Sequence, residues 1–139
     1  MTWLFWSILS ACFAAATAIL AKLGVEGVDP NFATAVRTTV VVIFTWLIAY
    51  VASGRQSFHV PSNRTWIFLT LSGLATGLSW LCYFRALQLG PASRVAPIDK
   101  LSVALVIVAG IAFLGEKFTW GKAIGGLLIV AGAISVALG

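Results

Sequence analysis

Five apolar runs, each of roughly 20 residues, take up nearly the whole chain, and they limit its fold more than any other feature. They cover about residues 3–21, 32–52, 66–89, 98–115 and 121–138. At a helical rise of about 1.5 Å per residue, such a run crosses the ~30 Å hydrocarbon core of a bilayer. An open sheet would leave its edge amides unsatisfied in hydrocarbon, and the runs are too long for the strands of a barrel. Each run is therefore predicted to be a helix, and the fold class to be an all-α integral membrane protein with five transmembrane helices. A soluble alternative fails on composition, because 60% of the 139 residues are hydrophobic and only 9% are charged.

The first run competes with a cleaved leader, but no basic residue precedes it and the other runs are equally apolar. The net charge of +5 is spread singly between the runs rather than gathered into a patch, which fits loops beside a membrane and not nucleic acid. If the N-terminus is cytoplasmic, inside connectors hold Arg55, Arg64, Lys117 and Lys122, and outside ones hold Lys22 and Arg94. Adding Arg85 and Lys100 to the outer ends makes the two sides equal, so insertion in both directions is physically open.

Cys12 and Cys82 fall inside apolar runs and read as small buried residues, and one His with two Cys offers no zinc spacing. No metal or cofactor is expected. There is no nucleophile–base pair and no phosphate-binding glycine loop, so catalysis has no support.

Breakers mark the connectors: Gly24, Gly27 and Asp29–Pro30 after span one, and the polar loop Gly54 to Thr65 after span two. The link between spans four and five is short enough to require an antiparallel hairpin. Small residues then define faces. On span one these are Ser7, Ser10, Ala14, Thr17 and Ala21, and on span three Gly73 and Gly77 would let a neighbour approach closely. On span five, Gly121, Gly125, Leu128, Gly132 and Ser135 share one stripe. That stripe serves either packing inside the monomer or a dimer seam.

Chemistry must come from ionisable groups at membrane depth, where a charge costs about 2.5–3.5 kcal/mol on insertion scales. Arg37 shares a face of span two with Thr34, Thr38 and Thr45. It either snorkels to the interface or faces inward to hold an anionic group or a carboxylate. Asp99 is the one acid within an expected span, at its first turn. Capping, or a salt bridge to Lys100, Arg94 or Arg37, competes with a cation or proton site. Ser102 lies on the face below it. Ser72, Thr76, Ser79 and Tyr83 line one face of span three, with Trp80 and Phe84 beside them, while Arg85 points away and is expected to snorkel. Glu116 and Lys117 read as an interfacial pair.

Several local patterns match a known family. Span three ends in an aromatic–Ala–Leu pattern (Phe84, Ala86, Leu87), and a Pro91–Ala92–Ser93 turn follows. Pro97 opens span four, Phe113–Leu114–Gly115–Glu116–Lys117 closes it, and a Gly/Ala-rich span comes last. With Arg37 near the start of span two, this resembles the EamA domain of the drug/metabolite transporter superfamily over essentially the whole chain. The resemblance implies one five-helix half of an inverted-repeat transporter, multi-pass in the cell membrane, in bacteria the inner membrane. Typical members join two such halves around a central cavity and move small metabolites.

A single half with its ends on opposite sides implies an antiparallel homodimer, or a heterodimer with a paralogous half. By analogy with four-helix relatives, span five forms the seam. In the family's general manner, Trp80 and Tyr83 would supply aromatic walls to a small-molecule substrate, and Thr76 and Ser79 hydrogen bonds. Asp99, Arg37 and Lys100 would supply charge recognition or coupling, with Ser102 beside them. The expected function is a secondary transporter of a small polar or amphipathic metabolite working by alternating access. A lipid-carrier flippase of the same superfamily and a non-transporting membrane subunit are the alternatives.

Overall fold

The computed structural model describes residues 2–53 and 62–139. Six helices follow one another: α1 (Thr2–Gly24), α2 (Pro30–Ser53), α3 (Asn63–Leu89), α4 (Ala92–Asp99), α5 (Leu101–Phe113) and α6 (Trp120–Leu138). Among the described residues there is no strand. Helices α4 and α5 run on as one segment, Ala92–Phe113, so five segments are long and apolar enough to cross a membrane. The protein is a multi-pass, all-α membrane protein. Arg55 and most of the polar connector fall at 54–61, outside the described residues.

The helix starts follow local chemistry. The Asp29 carboxylate accepts from the Asn31 and Phe32 amides at 3.0 Å each, with Pro30 in the first helical position, so the Asp–Pro breaker doubles as the cap of α2. The Thr119 hydroxyl accepts from the Lys122 amide at 3.2 Å and starts α6, while the Ser62 hydroxyl accepts from the Thr65 amide at 3.3 Å ahead of α3. Helix α4 begins at Ala92, ahead of Ile98 where the apolar run starts, and Pro97 lies inside it.

The chain divides into two compact units, α1 to Leu23 with Leu89–Gly139, and Gly24–Gln88. In the first, α6 packs on α4 and α5, which gives the expected hairpin. Contact is close at Gly126, where a Cβ would meet Ile107 Cδ1 at 3.4 Å, and Ala133 is buried on the same helix. The reversal after α5 turns on Gly115, whose φ of 67° is the left-handed conformation that favours glycine. Leu114 and Glu116 both donate their amides to the Gly110 carbonyl at 3.1 Å. The Glu116 carboxyl then covers Gly110, where a Cβ would stand 3.2 Å from Glu116 Cδ. Glu116 pairs with Lys122, Nζ to Oε2 2.7 Å, and not with Lys117, because the Gly115 reversal aims it at the first turn of α6. The Lys22 ammonium donates to the Gly90 carbonyl at 3.1 Å, tying the end of α1 to the turn before α4.

In the second unit Val25, Thr34, Phe84 and Leu87 are buried. The Gln88 side-chain amide donates to the Val25 and Val28 carbonyls, closing the 24–29 turn onto the end of α3. Arg85 Nη1 donates to Gln88 Oε1 at 3.3 Å, so this guanidinium has a protein partner.

Most other large apolar side chains face outward, Trp3 at 73% and Phe113 at 87% exposure among them. Lipid is as apolar as leucine, so a membrane helix gains nothing by hiding such groups from it. For the same reason Cys12 and Cys82 are exposed free thiols rather than the buried residues expected. Substituting Gly115→Ala should lower unfolding free energy by about 1–2 kcal/mol in detergent, the cost of an L side chain in the left-handed region. Unchanged stability would mean that the reversal does not depend on this backbone.

Candidate functional site

Helices α2 and α3 carry an arginine–aromatic cluster within the Gly24–Gln88 unit. Trp80 and Phe84 stand one turn apart on α3, and the Arg37 guanidinium lies over both rings, 4.2 Å from the Trp80 centroid and 5.5 Å from that of Phe84. Such stacking favours a desolvated guanidinium through the negative face of the ring. Arg37 is half-buried, and within its unit no described carboxylate lies within ion-pair distance of it. The bare snorkelling alternative therefore misses what holds this side chain, which is an aromatic wall.

The threonines around Arg37 are occupied in another way. Thr34 donates its hydroxyl to Pro30 O and Thr38 to Thr34 O, both at 2.7 Å, and Thr45 donates to Val41 O at 2.8 Å. On α3, Thr76 donates to Ser72 O at 2.9 Å. Each hydroxyl has given its proton to its own helix, as short polar side chains do in apolar surroundings, and presents only acceptor lone pairs outward. Ser79 and Thr76 are exposed, and Tyr83 and Trp80 are half-buried.

Asp99, Lys100 and Ser102 lie in the other unit, at an interruption of span four. Lys100 has ψ −5°, away from the helical value near −42°, and separates α4 from α5. Pro97 brings no amide to the ladder of α4. The Lys100 amide bonds back three residues to Pro97 O at 3.1 Å, and the Val103 amide does the same to Lys100 O at 3.0 Å. Ser102 donates its hydroxyl to the Asp99 carbonyl at 2.8 Å. Asp99 and Lys100 form an ion pair, Nζ to Oδ2 3.2 Å, with 38% of the Asp99 side chain exposed. Asp99 thus closes α4 immediately before α5, instead of sitting in the first turn of span four, and its partner is Lys100 out of the candidates Lys100, Arg94 and Arg37.

On α6 the face used inside the unit carries Gly126 and Ala133. The expected seam stripe is a different face. A Cβ on Gly121, Gly125 or Gly132 would meet no described atom within 4 Å, Leu128 is 66% exposed, and Ser135 is exposed. Gly73 and Gly77 are equally open.

Gln88 escapes sequence reasoning, and Phe84 is legible there only as a neighbour of Trp80 and not as a holder of Arg37. The signal for Gln88 is its place at the end of an apolar run beside Gly90–Pro91, where a side-chain amide can collect carbonyls of a turn. Phe84 was noted beside Trp80, but its spacing to Trp80, one turn along α3, was the available signal that both rings face one cation.

Comparison with known proteins adds the identity of the scaffold. A transporter of Sinorhizobium sp., described as an uncharacterized transporter in the cobO 3′ region, is 49% identical over 138 residues, covering 99% of this chain and 97% of the relative. A probable 4-amino-4-deoxy-L-arabinose-phosphoundecaprenol flippase subunit ArnF of Erwinia tasmaniensis is 43% identical over 86 residues, 60% of this chain and 65% of that protein. No solved structure matches the chain. Residues 1–138 match the EamA-like transporter family, and the chain belongs to that family.

Proposed function

We propose that this chain is a secondary transporter that moves a small polar or amphipathic metabolite by alternating access, working as an antiparallel homodimer. The observation that carries this reading is the interruption of span four at Lys100, with the Asp99–Lys100 pair on it. The break lies about 12 Å along the segment from Ala92, at about 1.5 Å per residue. A discontinuous helix with ionisable groups at depth is how many transporters build a substrate or coupling-ion site. Asp99 serves coupling or cargo charge with Lys100 and Ser102 beside it, and, in the Gly24–Gln88 unit taken by itself, Arg37, Thr76, Ser79, Trp80 and Tyr83 are the groups offered to cargo.

The dimer reading draws on the open α6 stripe of Gly121, Gly125, Leu128, Gly132 and Ser135, since the intramolecular contact of α6 uses Gly126 and Ala133. The loop charges stand only four against two, a bias weak enough to let either orientation insert. A heterodimer with a paralogous half is the second assembly, and the naming of the Erwinia relative as a subunit favours keeping it. The same relative favours a second reading of the cargo, in which a lipid-linked headgroup is flipped across the bilayer.

Substitution Asp99→Asn should abolish or uncouple saturable flux into proteoliposomes while helical content and dimer size are kept. Flux at the wild-type level would remove Asp99 from the mechanism. Reporters fused to the C-terminus should find copies on both sides of the membrane, and a single side for every copy would end the antiparallel homodimer.

A further inference from the structure

The aromatic wall of α3 also speaks to cargo charge. Trp80 and Phe84 together make the kind of surface that binds ammonium and quaternary cations through the ring face. In this protein that surface is already filled, because the Arg37 guanidinium lies over both rings, closer to Trp80. An incoming cation would find the wall taken by a charge of its own sign. An incoming anion would find a positive charge already seated there, with five N–H donors in the plane of its guanidinium.

The surrounding hydroxyls sharpen the selection. Thr34, Thr38 and Thr76 have donated their protons to their own helix backbones, so Arg37 is the charged donor of this neighbourhood and the threonines do not compete with it for a ligand oxygen. Within its unit no described carboxylate stands at ion-pair distance to balance the charge. A charge kept at membrane depth calls for a counter-charge or water, and a ligand anion meets that need during its passage.

Resting on the transporter reading, we infer that Arg37, held over Trp80 and Phe84, is an anion-recognition group, and that the cargo presents a phosphate or carboxylate there and is not a cation. The bidentate geometry of guanidinium with such oxyanions gives the choice its specificity. A lipid-borne phosphate and a soluble anion share this chemistry.

The test uses the full-length protein in phosphatidylcholine nanodiscs, at ionic strength matched with sodium chloride. Thermal stability is followed against hexyl phosphate, inorganic phosphate, succinate and hexyltrimethylammonium. Ligand binding to the folded state raises apparent stability in a saturable way. Hexyl phosphate should stabilise the wild type and hexyltrimethylammonium should not, a comparison that needs no variant to fold. Arg37→Gln should weaken the anion effect at least tenfold, and Arg85→Gln should leave it intact. A shift with inorganic phosphate or succinate identifies a soluble anion, whereas a shift with hexyl phosphate alone identifies a lipid-borne one.

Stabilisation by the cation equal to that by the anion would overturn the inference. So would no shift with any anion, or an anion shift unchanged in Arg37→Gln. Arg37-dependent anion binding without flux into proteoliposomes would remove the transporter reading and leave this inference standing. Saturable flux of a cation would do the reverse.

Discussion

Hydrocarbon offers no water to a stray N–H or C=O, and every described part of this protein bends to that fact. It makes each apolar run a helix. It also explains how the side-chain polar groups are used. Threonine hydroxyls on α2 and α3 turn back to their own carbonyls, Ser102 covers the Asp99 carbonyl at the break, and Lys22 covers that of Gly90. Gln88 covers two carbonyls of the turn before α2. With so many donors assigned to backbone, Arg37 and the Asp99–Lys100 pair stand out as the charged groups that recognition can draw on.

The helices were legible because periodicity matters less than length and polarity when the solvent is lipid. The break at Lys100 was not. Pro97 beside a charged stretch reads as a helix start, and only the backbone at Lys100 reveals that helix precedes it, with Pro97 inside α4. Glu116 was legible as a paired acid but not as the partner of Lys122, since that pairing depends on the Gly115 reversal bringing α6 back alongside α5. The two cysteines were misread by a rule for soluble proteins, which sends small thiols inside. In a bilayer, exposure to lipid costs such a group nothing, and both are exposed.

The site residues were legible by type rather than by partner. Arg37 was recognisable as a charge at depth, and the threonines beside it looked like its companions. Trp80 and Phe84 hold it instead, through a contact between α2 and the far end of α3 that helical spacing within either span does not reveal. The α6 stripe shows the converse. Sequence left it open between two uses, and the burial of Gly126 and Ala133 on a different face assigns the intramolecular contact elsewhere. What covers the stripe belongs with the proposed dimer.

Transport requires water to reach both charged neighbourhoods at some point in the cycle, whereas a structural subunit would keep them dry. Single cysteines at Ser79→Cys and Ser102→Cys, in a protein with Cys12 and Cys82 replaced, report this directly through labelling by a membrane-impermeant maleimide. A transporter should label at both positions, from one side of the membrane or the other, in folded protein within native membranes. Protection of both positions from both sides, with the fold intact, would contradict a translocation path and leave the chain as a packing subunit.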